Sequence, residues 1–331
     1  MNNKLKVLLA WRASNDELQF FRSKLKDVAE IYYLKTGEKH EILKFKSTIE
    51  YIIGGWIPGE IIEKMEKLKV IQFLGVGVDR FDLDVLKRKN IILLAAKYSN
   101  SPAVAEHAFA LMLSLAKKII ELDSSLKKGI WRPYAQEHFL KELYGKNLVI
   151  LGFGGVGIEI AKRAKAFGMN IYAIKRTYDP SLKQKYSLNF LGTLKDLDYV
   201  LKVADFLVVA LPLTKETKNL IGERELKLMK PTAYVINVAR GAIINEQALY
   251  NALTQGWIAG AGIDVWYEYP PSPYAPSKLG LHKLPNVIAT PHKAGWTRES
   301  RLRAFNIAVD NVRNFVKGRQ LRGLVDLDRG Y

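Results

Sequence analysis

The sequence predicts an α/β protein made of two doubly wound parallel-sheet domains. Three observations carry that expectation. Strand-like and helix-like runs alternate from the N-terminus, the alternation restarts at Leu148, and a glycine-rich turn joins that second opening strand to a helix. The length of 331 residues suits two domains at about 150 residues each. Apolar residues make up 48% and charged residues 25%, which excludes a disordered or fibrous chain.

Residues 5–10 read as a buried strand and 16–29 as an amphipathic helix. A strand at 49–53 ends in Gly54-Gly55, and Pro58 opens a helix running to Lys67. The strand 70–74 ends in Gly75-Val76-Gly77, followed by a short helix at 82–89 and a strand at 91–95. Such alternation lays helices on both faces of a mostly parallel sheet. At Ser101-Pro102 the texture changes, with serine as N-cap and proline in the first helical position. The helix expected over 103–120 is apolar nearly all round (Val104, Phe109, Leu111, Met112, Leu113, Leu115), which predicts burial between domains or subunits. The first domain boundary is placed there. Residues 148–151 form the cleanest strand, and others follow at 171–174, 206–211, 233–238, 259–265 and 287–289. Asn245 caps a helix over 246–253 that Gly256 ends, and a long helix over 299–317 precedes a polar tail.

Several chemistries are excluded at this stage. No apolar run reaches the roughly 18 residues of a membrane span, and the N-terminal stretch lacks a cleavage site, so a cytoplasmic, soluble protein is expected. The absence of cysteine removes disulfides, thiolate metal sites and cysteine nucleophiles. The five histidines (His40, His107, His138, His282, His292) have no zinc-ligand spacing, so no metal is expected. The 51 basic and 33 acidic residues leave a net charge of +18. That field suits a small anionic substrate, and equally a lysine-rich solubilising or heat-adapted surface. With no recognition motif and no basic–aromatic stripe, neither nucleic acid nor a membrane is expected as a partner.

Gly152-Phe153-Gly154-Gly155-Val156-Gly157 matches G-x-G-x-x-G, directly after the strand 148–151 and ahead of a helix expected over 158–167. In that context the first glycine makes the tight turn, the second lets backbone approach a pyrophosphate, and the third packs helix against strand. The helix N-terminus offers free N–H groups to the phosphates. A carboxylate for the ribose hydroxyls is expected after the next strand, but Lys175-Arg176-Thr177 stand there. Cations in that position attract a 2′-phosphate, so NADP(H) is expected in preference to NAD(H), with NAD still possible.

Taken together, the motifs resemble those of the D-isomer-specific 2-hydroxyacid dehydrogenase family, in particular its glyoxylate and hydroxypyruvate reductases. The blocks occur in order as Gly75-Val76-Gly77-Val78-Asp79, Ala105-Glu106-His107, the fingerprint, Pro212-Leu213-Thr214 with Thr217, Asn237-Val238-Ala239-Arg240-Gly241, Gly262-Ile263-Asp264-Val265 and Thr290-Pro291-His292. The resemblance implies a Rossmann cofactor domain (101–292) inserted in a flavodoxin-like substrate domain (1–100 with 293–331), with the site in the cleft between them. It also implies a homodimer built on the helix after Ser101. Hydride transfer to a 2-oxo acid needs a cation for the carboxylate, polarisation of the ketone and a proton donor. Arg240, just after a strand, suits the first two tasks, because its planar fork can take carboxylate and carbonyl together. His292 is the acid–base candidate, and the other four histidines are read as non-catalytic. By the same resemblance, the Val76 and Gly77 amides hold the substrate carboxylate. Asp264 and Gly295 contact the cofactor beside His292, and Pro212, Thr217 and Ala239 line its bed.

One departure stands out. The family's catalytic glutamate precedes a proline five residues after the aspartate, and here Tyr269 precedes Pro270, with Glu268 one residue early. Three readings stay open: Glu268 reaches His292 through a shifted loop, Tyr269 makes a weaker hydrogen bond to the imidazole, or the site is catalytically impaired. Without a carboxylate the imidazolium is less stabilised, which places the histidine nearer its ordinary value of about 6.5. Alternatives to the leading function are a dehydrogenase of another small anion and a catalytically weak nucleotide-sensing homologue.

Overall fold

The structure, a computed structural model, describes residues 4–136 and 139–331; His138 lies outside them. The chain divides into two units, Met1–Asn100 with Trp296–Tyr331, and Ser101–Gly295.

The first unit opens with β1 (Leu5–Leu9), whose LKVLL run is buried on both faces, as a central parallel strand requires. Ser14 and Glu17 then cap α1 (Asn15–Leu25) reciprocally, each side chain meeting the other's backbone N–H. The helix stops four residues short of expectation, because the chain turns and enters the edge strand β2 (Ala29–Tyr33). The apolar spacing of Val28 and Ala29 continued the helical stripe and hid this strand. β3 (Tyr51–Gly54), α2 (Gly59–Lys64), β4 (Val70–Phe73), α3 (Leu83–Arg88) and β5 (Ile92–Ala95) follow. The sheet order is β2-β1-β3-β4-β5, entirely parallel, the doubly wound order of flavodoxin-like domains. One face is covered by Ile57, Ile61, Ile62, Val85 and Leu86.

The second unit begins at α4 (Ser101–Ala116). Its burial differs from expectation. Val104, Ala105, Ala108, Leu111, Met112 and Leu115 pack into this unit's own core with residues of its sheet and fingerprint helix, so the helix is internal to one unit. It also ends earlier, at a kink where Lys118 adopts φ +49°, and α5 (Ile119–Lys127) starts anew. A run of large exposed apolar side chains lies just beyond that kink, among them Ile120, Leu126, Ile130, Trp131, Tyr134 and Phe139. Then come β6 (Asn147–Leu151), α6 (Gly155–Ala166), β7 (Asn170–Ile174), α7 (Pro180–Lys185), β8 (Phe190–Gly192), α8 (Leu197–Val203), β9 (Phe206–Val209), α9 (Glu223–Leu228), β10 (Tyr234–Asn237), α10 (Glu246–Thr254), β11 (Gly260–Ile263) and β12 (Val287–Ala289). Asn245 caps α10 as expected, accepting from the Ala248 N–H at 2.9 Å. The strand order β12-β11-β10-β9-β6-β7-β8 reverses direction between β6 and β9, which creates a crevice at the strand ends.

The chain returns to the first unit with α11 (Arg298–Val316), capped by Thr297. Phe305, Ala308, Val309 and Val312 of α11 and Leu18, Phe21 and Leu25 of α1 cover the second face of the five-stranded sheet. The return falls after Gly295 instead of after His292. Lys293 and Ala294 stay with the second unit because both backbone N–H groups are bound by the Asp264 carboxylate. Among the described residues no helix is long and apolar enough to cross a membrane.

Candidate active site

In a parallel sheet every strand delivers its following loop to the same edge. The fingerprint follows β6, Lys175 to Thr177 follow β7, Pro212 follows β9, Arg240 follows β10, Asp264 and Tyr269 follow β11, and His292 follows β12. At about 4.8 Å per strand, the Arg240 and His292 loops emerge about 10 Å apart, close enough for side chains to converge on one small ligand.

The fingerprint glycines are needed for separate reasons. Gly152 has φ +105°, and a Cβ on it would stand 2.5 Å from the Ala210 carbonyl oxygen. A Cβ on Gly157 would collide with the Gly152 carbonyl oxygen, so α6 sits tight on β6 only without a side chain there. At Gly154 a Cβ would meet nothing within 4 Å. That open space above the uncapped N-terminus of α6 is where a pyrophosphate would lie, so the turn fits a dinucleotide. Gly155 and Val156 form the first turn of the helix, whereas the Phe153 ring is buried and packs edge-on against Tyr186. Only the Phe153 backbone is therefore offered to a cofactor. Arg176 and Thr177 are exposed beyond β7, and Lys175 is half-buried, its N–H bonded to the Gly192 carbonyl.

Arg240 is held by the turn that precedes it. The buried Asn237 amide accepts from the Ala239 N–H at 3.1 Å and donates to the Arg240 carbonyl at 3.0 Å. Arg240 Nη1 donates to the Ala239 carbonyl at 2.8 Å, aligning the guanidinium along its own loop. Gly241 lets this loop press on the next, since a Cβ there would stand 2.5 Å from the Trp266 carbonyl.

His292 is exposed and adopts φ +55°, uncommon for a residue with a side chain. Its Nδ1 lies 2.9 Å from the Tyr269 hydroxyl, which also accepts the Trp266 backbone N–H at 3.1 Å. Glu268 does not take the glutamate's place, because its carboxylate pairs with Lys278 at 3.5 Å. Of the three readings of this loop, the geometry puts Tyr269 against the imidazole. A cavity of about 450 Å³ opens beside Tyr269, with Trp266, Glu268, His282 and Thr290 among its lining residues.

Two other expectations change. Asp264 is fully buried and offers no surface to a cofactor. Its Oδ1 accepts from Thr290 Oγ1 at 2.6 Å and the Lys293 N–H at 2.9 Å, and its Oδ2 from the Ala294 N–H at 2.9 Å. It holds the His292 loop instead. Thr217 is likewise buried; its hydroxyl donates to the Pro212 carbonyl at 2.7 Å and accepts the Thr214 N–H at 2.8 Å, shaping the turn that exposes Pro212. Ala239 is buried beneath Arg240, and Gly295 ends the His292 loop. In the first unit, Val76 is exposed and Gly77 half-buried on the turn after β4. Sequence reasoning assigned no role to Asn237, Trp266 or Thr290, although each sits in or beside a quoted motif.

The reversing parallel sheet, the glycine turn and the open α6 N-terminus define a dinucleotide-binding protein of the Rossmann class. The comparisons narrow that class. Residues 109–294 match the family described as "D-isomer specific 2-hydroxyacid dehydrogenase, NAD binding domain", and the chain belongs to that family. A glyoxylate reductase of Thermococcus litoralis is 39% identical over 274 residues, covering 81% of this chain and 80% of that protein. A D-3-phosphoglycerate dehydrogenase of Archaeoglobus fulgidus is 37% identical over 328 residues, covering 98% of this chain; the chain spans only 59% of that relative's length. The crystal structure of a glyoxylate reductase from Paecilomyes thermophila has a TM-score of 0.84 at 26% identity, covering 99% of this chain and 100% of that one.

Proposed function

We propose that this protein is an oxidoreductase that reduces small 2-oxo acids such as glyoxylate or hydroxypyruvate to D-2-hydroxy acids, with NADP(H) preferred over NAD(H). The observation that carries this reading is the second unit's sheet edge, where a guanidinium after β10 and a tyrosine-held imidazole after β12, with β11 between them, share the edge that carries the dinucleotide turn. The nicotinamide cofactor, when bound, supplies the hydride. Arg240 binds the substrate carboxylate and draws electron density onto the ketone oxygen through the same fork.

His292 gives the proton. To act at Nε2 through the whole cycle, the imidazole must keep its other proton on Nδ1. Tyr269 suits that state, since its oxygen has two lone pairs, one for the Trp266 N–H and one for Nδ1–H. The imidazolium then protonates the developing alkoxide from Nε2 and is left neutral, with Nδ1–H still bound to Tyr269. Lys175, Arg176 and Thr177 replace the carboxylate that would repel a 2′-phosphate.

We also propose that the chain forms a homodimer through the exposed apolar segment that includes α5, Trp131 and Phe139, because isolated patches of that kind are costly to leave in water.

Initial rates with glyoxylate, hydroxypyruvate and, in the oxidative direction, D-3-phosphoglycerate, each with both cofactors, test the reading. Reduction of a 2-oxo acid that falls by about a hundredfold or more in Arg240→Ala and His292→Ala supports it. Tight NADPH binding with no turnover of any of the three would replace it with a nucleotide-sensing role.

A further inference from the structure

His107 lies on α4 in the motif Ala105-Glu106-His107, and the proposed chemistry makes no use of it. Its Nε2 is 2.9 Å from Thr290 Oγ1 and 3.6 Å from Asp264 Oδ1. The directions of these bonds follow from counting protons. Asp264 accepts backbone N–H groups on both oxygens, so as a carboxylate it has no proton to return, and Thr290 must donate to it. The threonine oxygen then has only lone pairs left, and His107 Nε2 must be the donor. The chain of donation runs from His107 through Thr290 to Asp264.

The other polar atoms of Thr290 are occupied too. Its N–H binds the Ile263 carbonyl at 2.9 Å, and its carbonyl accepts the Trp266 indole N–H at 2.8 Å and the His292 N–H at 3.0 Å. Asp264 meanwhile holds the two amides that follow His292. The loop is thus pinned on either side of a residue kept in the left-handed backbone region, a conformation that persists only when its surroundings over-determine it.

We propose that His107, Thr290 and Asp264 are positioning residues, a donor chain that runs from half-buried His107 on α4 to buried Asp264 and keeps the His292 loop, and hence the imidazole, in its working orientation. The inference deepens the function proposed above and rests on it for what His292 does. His107 touches neither substrate nor cofactor in this scheme; its Nε2–H holds the Thr290 hydroxyl oxygen in place from the α4 side, and Asp264 carries the restraint to the loop.

The test uses the full chain with His107→Leu, Thr290→Val and Thr290→Ser. Hydrogen exchange is followed by mass spectrometry on peptides containing Lys293 and Ala294, beside steady-state kinetics. Leucine or valine should speed exchange in those peptides and lower kcat by about tenfold, with KM for the oxo acid within about twofold. Thr290→Ser keeps the hydroxyl and should restore both readouts. Wild-type exchange together with wild-type kcat in His107→Leu and Thr290→Val would overturn the proposal. If Thr290→Val does not fold, His107→Leu still decides, because it leaves all the bonds of Asp264 to backbone in place. If the wild-type chain reduces no 2-oxo acid, the functional reading fails, and the exchange data alone decide the positioning role.

Discussion

The Tyr269 hydroxyl stands 2.9 Å from Nδ1 of His292, where relatives of this family place a glutamate, and it is anchored by the Trp266 backbone N–H at 3.1 Å. A phenol orients the imidazole as a carboxylate does, but it brings no negative charge to stabilise the protonated ring. Orientation and charge, usually supplied by one group, are separated here.

That separation predicts a pH effect with a definite sign. Ketone reduction needs the protonated imidazole, so the rate falls as pH rises, and the fall comes at lower pH than in relatives with the glutamate. Tyr269→Glu should move the fall upward by about one pH unit or more, and the cavity beside Tyr269 leaves room for the change. Tyr269→Phe should lower kcat by about tenfold, the worth of one orienting hydrogen bond. Rates measured from pH 5 to pH 10 check both variants, and an unshifted profile in Tyr269→Glu would show that the two side chains do not couple.

Cofactor choice should follow the cations after β7. A net preference of about 1–2 kcal/mol corresponds to an NADPH-over-NADH ratio in kcat/KM of about tenfold. Replacing Lys175 and Arg176 together by alanine should remove most of that ratio by weakening NADPH use, with little change for NADH. The preference should also shrink as salt is raised, because these groups are at the surface. Equal use of both cofactors by the wild type would contradict the assignment.

Assembly can be tested separately. Light scattering should give twice the chain mass of 37.5 kDa. Trp131→Asp combined with Phe139→Asp should yield monomers, because a charge at a buried apolar contact costs several times what it gains. A wild-type monomer at micromolar concentration would remove the dimer.

Acid stability should depend on Glu41 in the first unit. The Thr36 backbone N–H, at 2.9 Å, is the main cause that holds its carboxyl down to about 2; the Thr36 hydroxyl and the Lys35 N–H add to it against the cost of burial. A carboxyl depressed in the folded state stabilises the fold above its ordinary value, and that contribution is lost as pH falls through the folded one. Glu41→Gln should therefore be less stable than wild type at pH 7, by urea unfolding, and the gap should narrow between about pH 4.5 and pH 2. A gap that does not change with pH would mean that Glu41 acts through packing alone.

How much of this was legible in the sequence depended on how local the governing physics is. The central strands were readable because buried parallel strands are continuous apolar runs, and the dinucleotide turn because each glycine answers a constraint within a few residues. The edge strand β2 was not, since an apolar pair one turn past a helix carries the same periodicity as the helix itself. The kink at Lys118 was also hidden, in a stretch with no glycine or proline to mark it.

At the candidate site the sequence alone determined which residue types stand on which loops: arginine after β10, histidine after β12, and tyrosine in place of glutamate. Only the tertiary structure decided what each side chain meets. It sent Glu268 to Lys278 and Tyr269 to His292, and it turned Asp264 away from solvent into the loop it restrains. His107 and Thr290, 183 residues apart, meet only because α4 packs against the ends of β11 and β12. Neighbouring residues in a loop point in different directions according to where the backbone is anchored, and those anchors are hydrogen bonds to distant segments that no local spacing encodes.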